Sequence, residues 1–189
     1  MKNFTKLSVV IFIFALNVAG YSQSETDMTA WTEYMTPGPV HEMLAKSNGE
    51  WTEEITFWMD PTAPPMKASG TAVNKMILGG RYQVSNSTAE IMGMPFEGMN
   101  IVGYDNAKKM FQSTWIDNFG TGTSYSEGTW DEDSKSINFK GTSYDPMTGT
   151  NKNIKQIFKI IDNDHESLEM FSIEDGKEIK TMEIMFIRK

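Results

Sequence analysis

Residues 97–130 read EGMNIVGYDNAKKMFQSTWIDNFGTGTSYSEGTW. Three runs rich in β-branched and aromatic residues, 97–104, 110–118 and 123–130, are separated by Asp105-Asn106 and by Gly120 to Gly122. Asn and Gly tolerate positive φ and Asp caps its own turn, so each break is a tight reversal. Links this short leave no room for a crossover helix, so neighbouring runs pair antiparallel.

The same grammar extends in both directions. Upstream runs at 51–59, 67–78 and 81–92 are punctuated by Asp60-Pro61, Gly79-Gly80 and Gly93 to Pro95. Downstream runs at 136–143, 153–161, 167–173 and 179–188 are punctuated by Asp145-Pro146, Asp162 to Asp164 and Asp175-Gly176. Three reversals share a pattern: Gly103-Tyr104-Asp105, Gly128-Thr129-Trp130-Asp131 and Gly141-Thr142-Ser143-Tyr144-Asp145. The chain is therefore read as all-β, an antiparallel up-and-down barrel of about ten strands, because a sheet of that size curls and closure removes its edges. A two-sheet sandwich is the alternative for this strand count.

Before the strands, Val40, Met43 and Leu44 recur at helical spacing and Asn48-Gly49 supplies a stop, which predicts one short helix over 40–47. Residues 23–39 read as a polar N-terminal extension. At the start, Lys2 and Lys6 precede an apolar run at 7–15, followed by Gly20 and Ser22. That pattern is a signal peptide over 1–22, too short to remain as a spanning helix. The expected organisation is a leader at 1–22, the extension at 23–39 and a barrel domain at 40–189, exported to the periplasm or outside the cell and not inserted in the membrane once the leader is removed.

The sequence has no cysteine, which excludes disulfides, thiol chemistry and cysteine metal sites, so an exported domain of this size must be held by side-chain burial alone. Its 17 basic and 25 acidic residues give a net charge of −8, and loss of Lys2 and Lys6 makes the balance more acidic still. Nucleic acid and anionic lipid are poor partners for such a surface.

Alternation within the runs predicts what faces inward. Trp51, Ile55 and Phe57 share a side with Glu53; Ile154, Phe158 and Ile160 share one with Gln156; Phe111, Trp115 and Phe119 share one with Ser113 and Asp117. A mostly apolar inner face punctuated by polar groups matches a ligand cavity better than a dry core.

Gly49-Glu50-Trp51 at the first strand resembles the Gly-x-Trp of the calycin superfamily, the lipocalins and their relatives. Gly79-Gly80-Arg81-Tyr82, Gly103-Tyr104-Asp105-Asn106, Lys109, Trp115-Ile116-Asp117 and Gly120-Thr121 resemble an uncharacterised, exported bacterial domain-of-unknown-function family of that superfamily, from about Leu44 to the C-terminus. The resemblance implies a lipocalin-like barrel whose tryptophan packs across the closed end beneath a basic residue of the last strand, the position held here by Arg188. It implies no activity and no catalytic residues.

No nucleophile elbow, phosphate loop, dinucleotide fingerprint or His-Glu-x-x-His is present. His41, in the helix, and His165, in a turn, lie in different kinds of element and read as surface histidines rather than a haem or zinc site. Asp162-x-Asp164-x-Glu166 lacks the glycine and distal glutamate of a calcium loop and reads as a hairpin turn. The 15 methionines are spread over most runs and read as adaptable core or cavity filler rather than a copper site. Those near 92–99, with Phe96, read as a loop forming a mobile lid.

No cofactor and no metal site is expected. The candidate ligand contacts are Glu53, Arg81, Trp115 and Asp117, around a small hydrophobic or amphipathic molecule. Glu53 and Asp117, on apolar faces, are expected to pair with an inward arginine, Arg81 or Arg188. Left free, they would suit acid or base work in a small-molecule hydrolase or isomerase. A third reading is a cell-envelope interaction module docking through 23–36.

Overall fold

The computed structural model describes residues 25–60 and 62–189. The leader at 1–22 and the start of the extension lie outside the described residues. Two helices, α1 (Glu25–Met35) and α2 (Pro39–Ala45), precede ten strands. These are β1 (Gly49–Phe57), β2 (Met66–Ile77), β3 (Tyr82–Ile91), β4 (Met94–Asp105), β5 (Met110–Asp117), β6 (Ser124–Asp131), β7 (Ser136–Asp145), β8 (Thr150–Ile160), β9 (His165–Glu174) and β10 (Lys177–Arg188). Each strand pairs antiparallel with its neighbours in sequence, and β1 pairs with β10 to close the barrel. The expected architecture is the one formed, and the sandwich is not.

The closing seam runs from Trp51 opposite Arg188 to Phe57 opposite Met182. Period-2 alternation in β1 then turns Trp51, Glu53 and Ile55 inward, and all three are buried. The closed end is knotted at Trp51, which is fully buried, with its indole Nε1 donating to the Ser47 carbonyl at 2.9 Å. The Arg188 guanidinium lies 4.1 Å from the Trp51 ring centroid, as the resemblance implied. It also donates to three backbone carbonyls: Lys46 at 2.8 Å, Asn48 at 2.7 Å and Asn163 at 2.8 Å.

Helix α2 is the stopper of that end. Pro39 at its first turn fits the fixed φ a helix start requires. Leu44 packs with Phe111, Ile137 and Phe139 in the core, and the Gln83 side-chain amide donates to the Leu44 carbonyl at 2.6 Å. His41, three residues before Leu44 and so on the same helical face, is buried rather than solvated, correcting the surface reading. Its Nδ1 accepts the Gly38 backbone N–H at 3.1 Å and its ring meets Tyr104 edge-on. Burial holds its pKa below the usual histidine value, opposed by a backbone hydrogen bond at Tyr104.

Two further expectations are corrected. One short helix was expected before the strands, and a second, α1, forms within the extension, anchored at its C-terminus, where carbonyls lack helical partners. The Asn106 amide donates to the carbonyls of Glu33, Tyr34 and Thr36, and Arg81 Nη2 donates to that of Met35 at 2.6 Å. The segment 92–99 is no lid. Met92 (φ 53°) and Gly93 (φ 74°) make a two-residue reversal, and β4 begins at Met94. Asp175-Gly176 shows the same pair of positive angles with the residue types such a turn favours.

Met92 therefore holds a left-handed conformation that costs a side chain of its kind about 1 kcal/mol. Met92→Asn is expected to raise Tm by about 2–4 °C in thermal melts; an unchanged Tm would mean the turn carries no strain. Arg188→Ala leaves three closed-end carbonyls without their donor and is expected to cost about 2–4 kcal/mol in denaturant unfolding, with Arg188→Lys restoring less than half.

Candidate functional site

Above the Trp51 knot the barrel holds a cavity of about 500 Å³. Its wall has two halves. From β9 and β10 it receives apolar side chains alone, among them Leu168, Met170, Met182 and Ile184. Each strand from β3 to β7 contributes at least one polar group, including Ser87, Asn100, Ser113, Ser124 and Ser143. Gln156 on β8 and Glu53 on β1 place polar groups among cavity-facing side chains that are otherwise apolar on those strands. The inward phases of β1, β5 and β8 match those expected from alternation.

Glu53 is 2% exposed, yet no arginine meets it. Its Oε1 accepts the Ser87 hydroxyl at 2.9 Å. Its Oε2 lies over Gly70 of β2, where a Cβ would come within 2.7 Å. The carboxylate can turn toward β3 because Gly70 carries no side chain. Burial pushes the Glu53 pKa up, and the Ser87 hydrogen bond opposes that shift.

Asp117 stands at the open end of β5 with both oxygens engaged. Its Oδ2 accepts the Trp115 indole N–H at 2.6 Å, and its Oδ1 accepts the backbone N–H groups of Phe119 and Gly120 at 2.9 and 3.0 Å. It thus caps the turn into β6 and fixes the indole. Trp115 stacks on Phe96, whose ring meets Phe119 edge-on, so three aromatics line the mouth. The indole can lie across β4 because Gly98 stands beneath it, with ring carbons 2.4 Å from where a Cβ would be.

The structure brings Glu53, Trp115 and Asp117 to one cavity and does not bring Arg81 there. Arg81 precedes β3 at the closed end and bonds the Leu78 and Met35 carbonyls. Neither Arg81 nor Arg188 pairs with Glu53 or Asp117, which corrects the expected ion pairs. Ser87, Asn100 and Gln156 line the cavity but were absent from the predicted contacts; strand parity gave a signal for Gln156, which alternation faces inward with Ile154 and Phe158.

The remaining candidates do not assemble. Among the described residues no group of three or more His, Cys, Asp or Glu side chains is placed to hold a metal ion. His165 is paired with Asp162 at 2.9 Å, while Glu166 is buried and receives the Ser47 hydroxyl, so the acidic turn does not converge. Met66, Met170 and Met182 line the cavity as adaptable apolar surface.

The raised Glu53 pKa has a thermodynamic consequence. The folded chain holds this proton more tightly than the unfolded chain, so the contribution of Glu53 to stability falls as pH rises from the unfolded value through the folded one. Glu53→Gln removes the buried ionisation and keeps an acceptor for Ser87. It is expected to raise Tm at about pH 8, with the advantage shrinking toward about pH 4.5. Parallel Tm profiles for the two proteins across that range would contradict the assignment.

The family described as "Protein of unknown function (DUF1579)" matches residues 36–188. No curated protein matches the chain. Among solved structures, that of Rv2717c from M. tuberculosis is similar, with a TM-score of 0.60 and 14% identity, covering 82% of this chain and 99% of that chain. At that identity the likeness is one of fold.

Proposed function

Since the chain belongs to the DUF1579 family, whose function is unknown, we propose a role from the cavity itself: an exported binding protein that carries a small, mostly apolar molecule inside the barrel. The observation that carries this reading is the cavity of about 500 Å³, within the range of small-molecule sites and lined largely by apolar side chains with a few polar groups. Trp115 and Phe96 at the mouth offer ring faces to the cargo, and Glu53 with Ser87 offers a polar contact deeper inside. Export rests on Lys2, Lys6 and the apolar run that follows them.

A second reading, a hydrolase or isomerase acting on a small molecule, draws on one observation: Glu53 is buried, raised in pKa and unpaired with any arginine. It requires a second acid or base within reach of the same bound molecule. Asp117 lines the cavity but is committed to an indole and a turn, which favours the binding reading.

Native mass spectrometry of the mature protein, purified gently from its own host, tests the carrier role. The expected result is a reproducible extra mass that vanishes on denaturation. A clean apo mass under the same conditions counts against a tight carrier and turns attention to turnover assays.

A further inference from the structure

Resting on the binding reading above, we infer that the cavity takes an uncharged amphiphile headed by a hydroxyl or amide, bound against Glu53, and discriminates against carboxylates of the same chain length. The first support is the charge inventory of the wall. Among the described residues, no Lys, Arg or His lines the cavity, while Glu53 and Asp117 do. An ionised carboxylate entering this space would lose its water and find no cation to replace it, close to a carboxyl group of the protein.

Three basic side chains near the barrel's ends are committed elsewhere. Arg188 is bound to three carbonyls at the closed end, and Arg81 to two beside α1. Lys152, near the open end of β8, stands between Asp145 and Glu174 at 3.2 and 3.1 Å. Among the described residues, these three cations are held by partners outside the cavity.

The second support is the state of the two acids. Both oxygens of Asp117 are occupied. Glu53 receives one side-chain donor, Ser87, on Oε1, and its Oε2 lies over the bare backbone of Gly70. Oε2 is thus the polar atom a ligand head can engage. Burial favours the protonated form of this carboxyl, and a hydroxyl or amide, which both donates and accepts, meets it in either protonation state. Gln156 on β8 adds a neutral amide to the same space.

The test uses Nile red, an uncharged fluorescent probe, displaced from the mature protein by 1-decanol and by decanoate at about pH 8, where decanoate is ionised. Wild type is expected to bind decanol at least about tenfold more tightly than decanoate. Glu53→Gln is expected to narrow that gap by about threefold or more, by admitting decanoate. Gln156→Arg, which puts a cation in the wall, is expected to tighten decanoate by about tenfold. Decanoate binding as tightly as decanol in wild type overturns the inference while leaving the carrier reading intact. An unchanged gap in Glu53→Gln removes Glu53 as its source. Failure of the probe and both chains to bind overturns both readings.

Discussion

The contact between Arg188 and Trp51 is the constraint on which the rest of the molecule depends. These residues are register partners on the last and first strands, so their stacking sits on the seam that turns a sheet into a barrel. The same guanidinium binds the carbonyls of Lys46 and Asn48, which carry the chain from α2 into β1. One cation thereby fastens both the seam and the stopper. With Ser47 bound to Trp51 and Glu166, that end of the barrel is shut by a polar network around a buried indole. The cavity is accordingly a cup, whose aromatic lip of Phe96, Trp115 and Phe119 lies at the other end.

Most of this architecture was legible in the sequence, because turns and alternation are local properties. Asp175-Gly176 announces its own reversal, and Trp51, Glu53, Ile55 and Phe57 announce their own face. What escaped depends on partners far away in the chain. Helix α1 owes its anchoring to Asn106, about 70 residues on, and the burial of His41 depends on Tyr104. Met92 was misjudged because a methionine does not advertise a positive φ; only the Gly after it does.

The site was half legible for a similar reason. In β1, β5 and β8 large apolar residues set the phase, so Glu53, Trp115, Asp117 and Gln156 were correctly faced inward. In β3 the inward positions Gln83 and Ser87 are polar while Val84, on the opposite parity, is apolar and also buried, so hydrophobic contrast does not mark the face. Arg81 was lost by its position: it belongs to the turn before β3, where Gly79 and Gly80 reverse the chain, and strand parity does not apply there. Glu53 is the local conflict within the barrel. A buried carboxyl without a cation weakens the fold once it ionises, because nothing replaces the water it has lost.

The closing of the ring also sets the order in which the molecule is assembled. All neighbours in the barrel follow one another directly in sequence except β1 and β10, whose paired residues Trp51 and Arg188 stand at opposite ends of the barrel's sequence. Hairpins zip early because little loop entropy is lost, whereas the seam must await the last strand made. Until Arg188 arrives, the free edge of β1 is a template for any other strand, its own copies included.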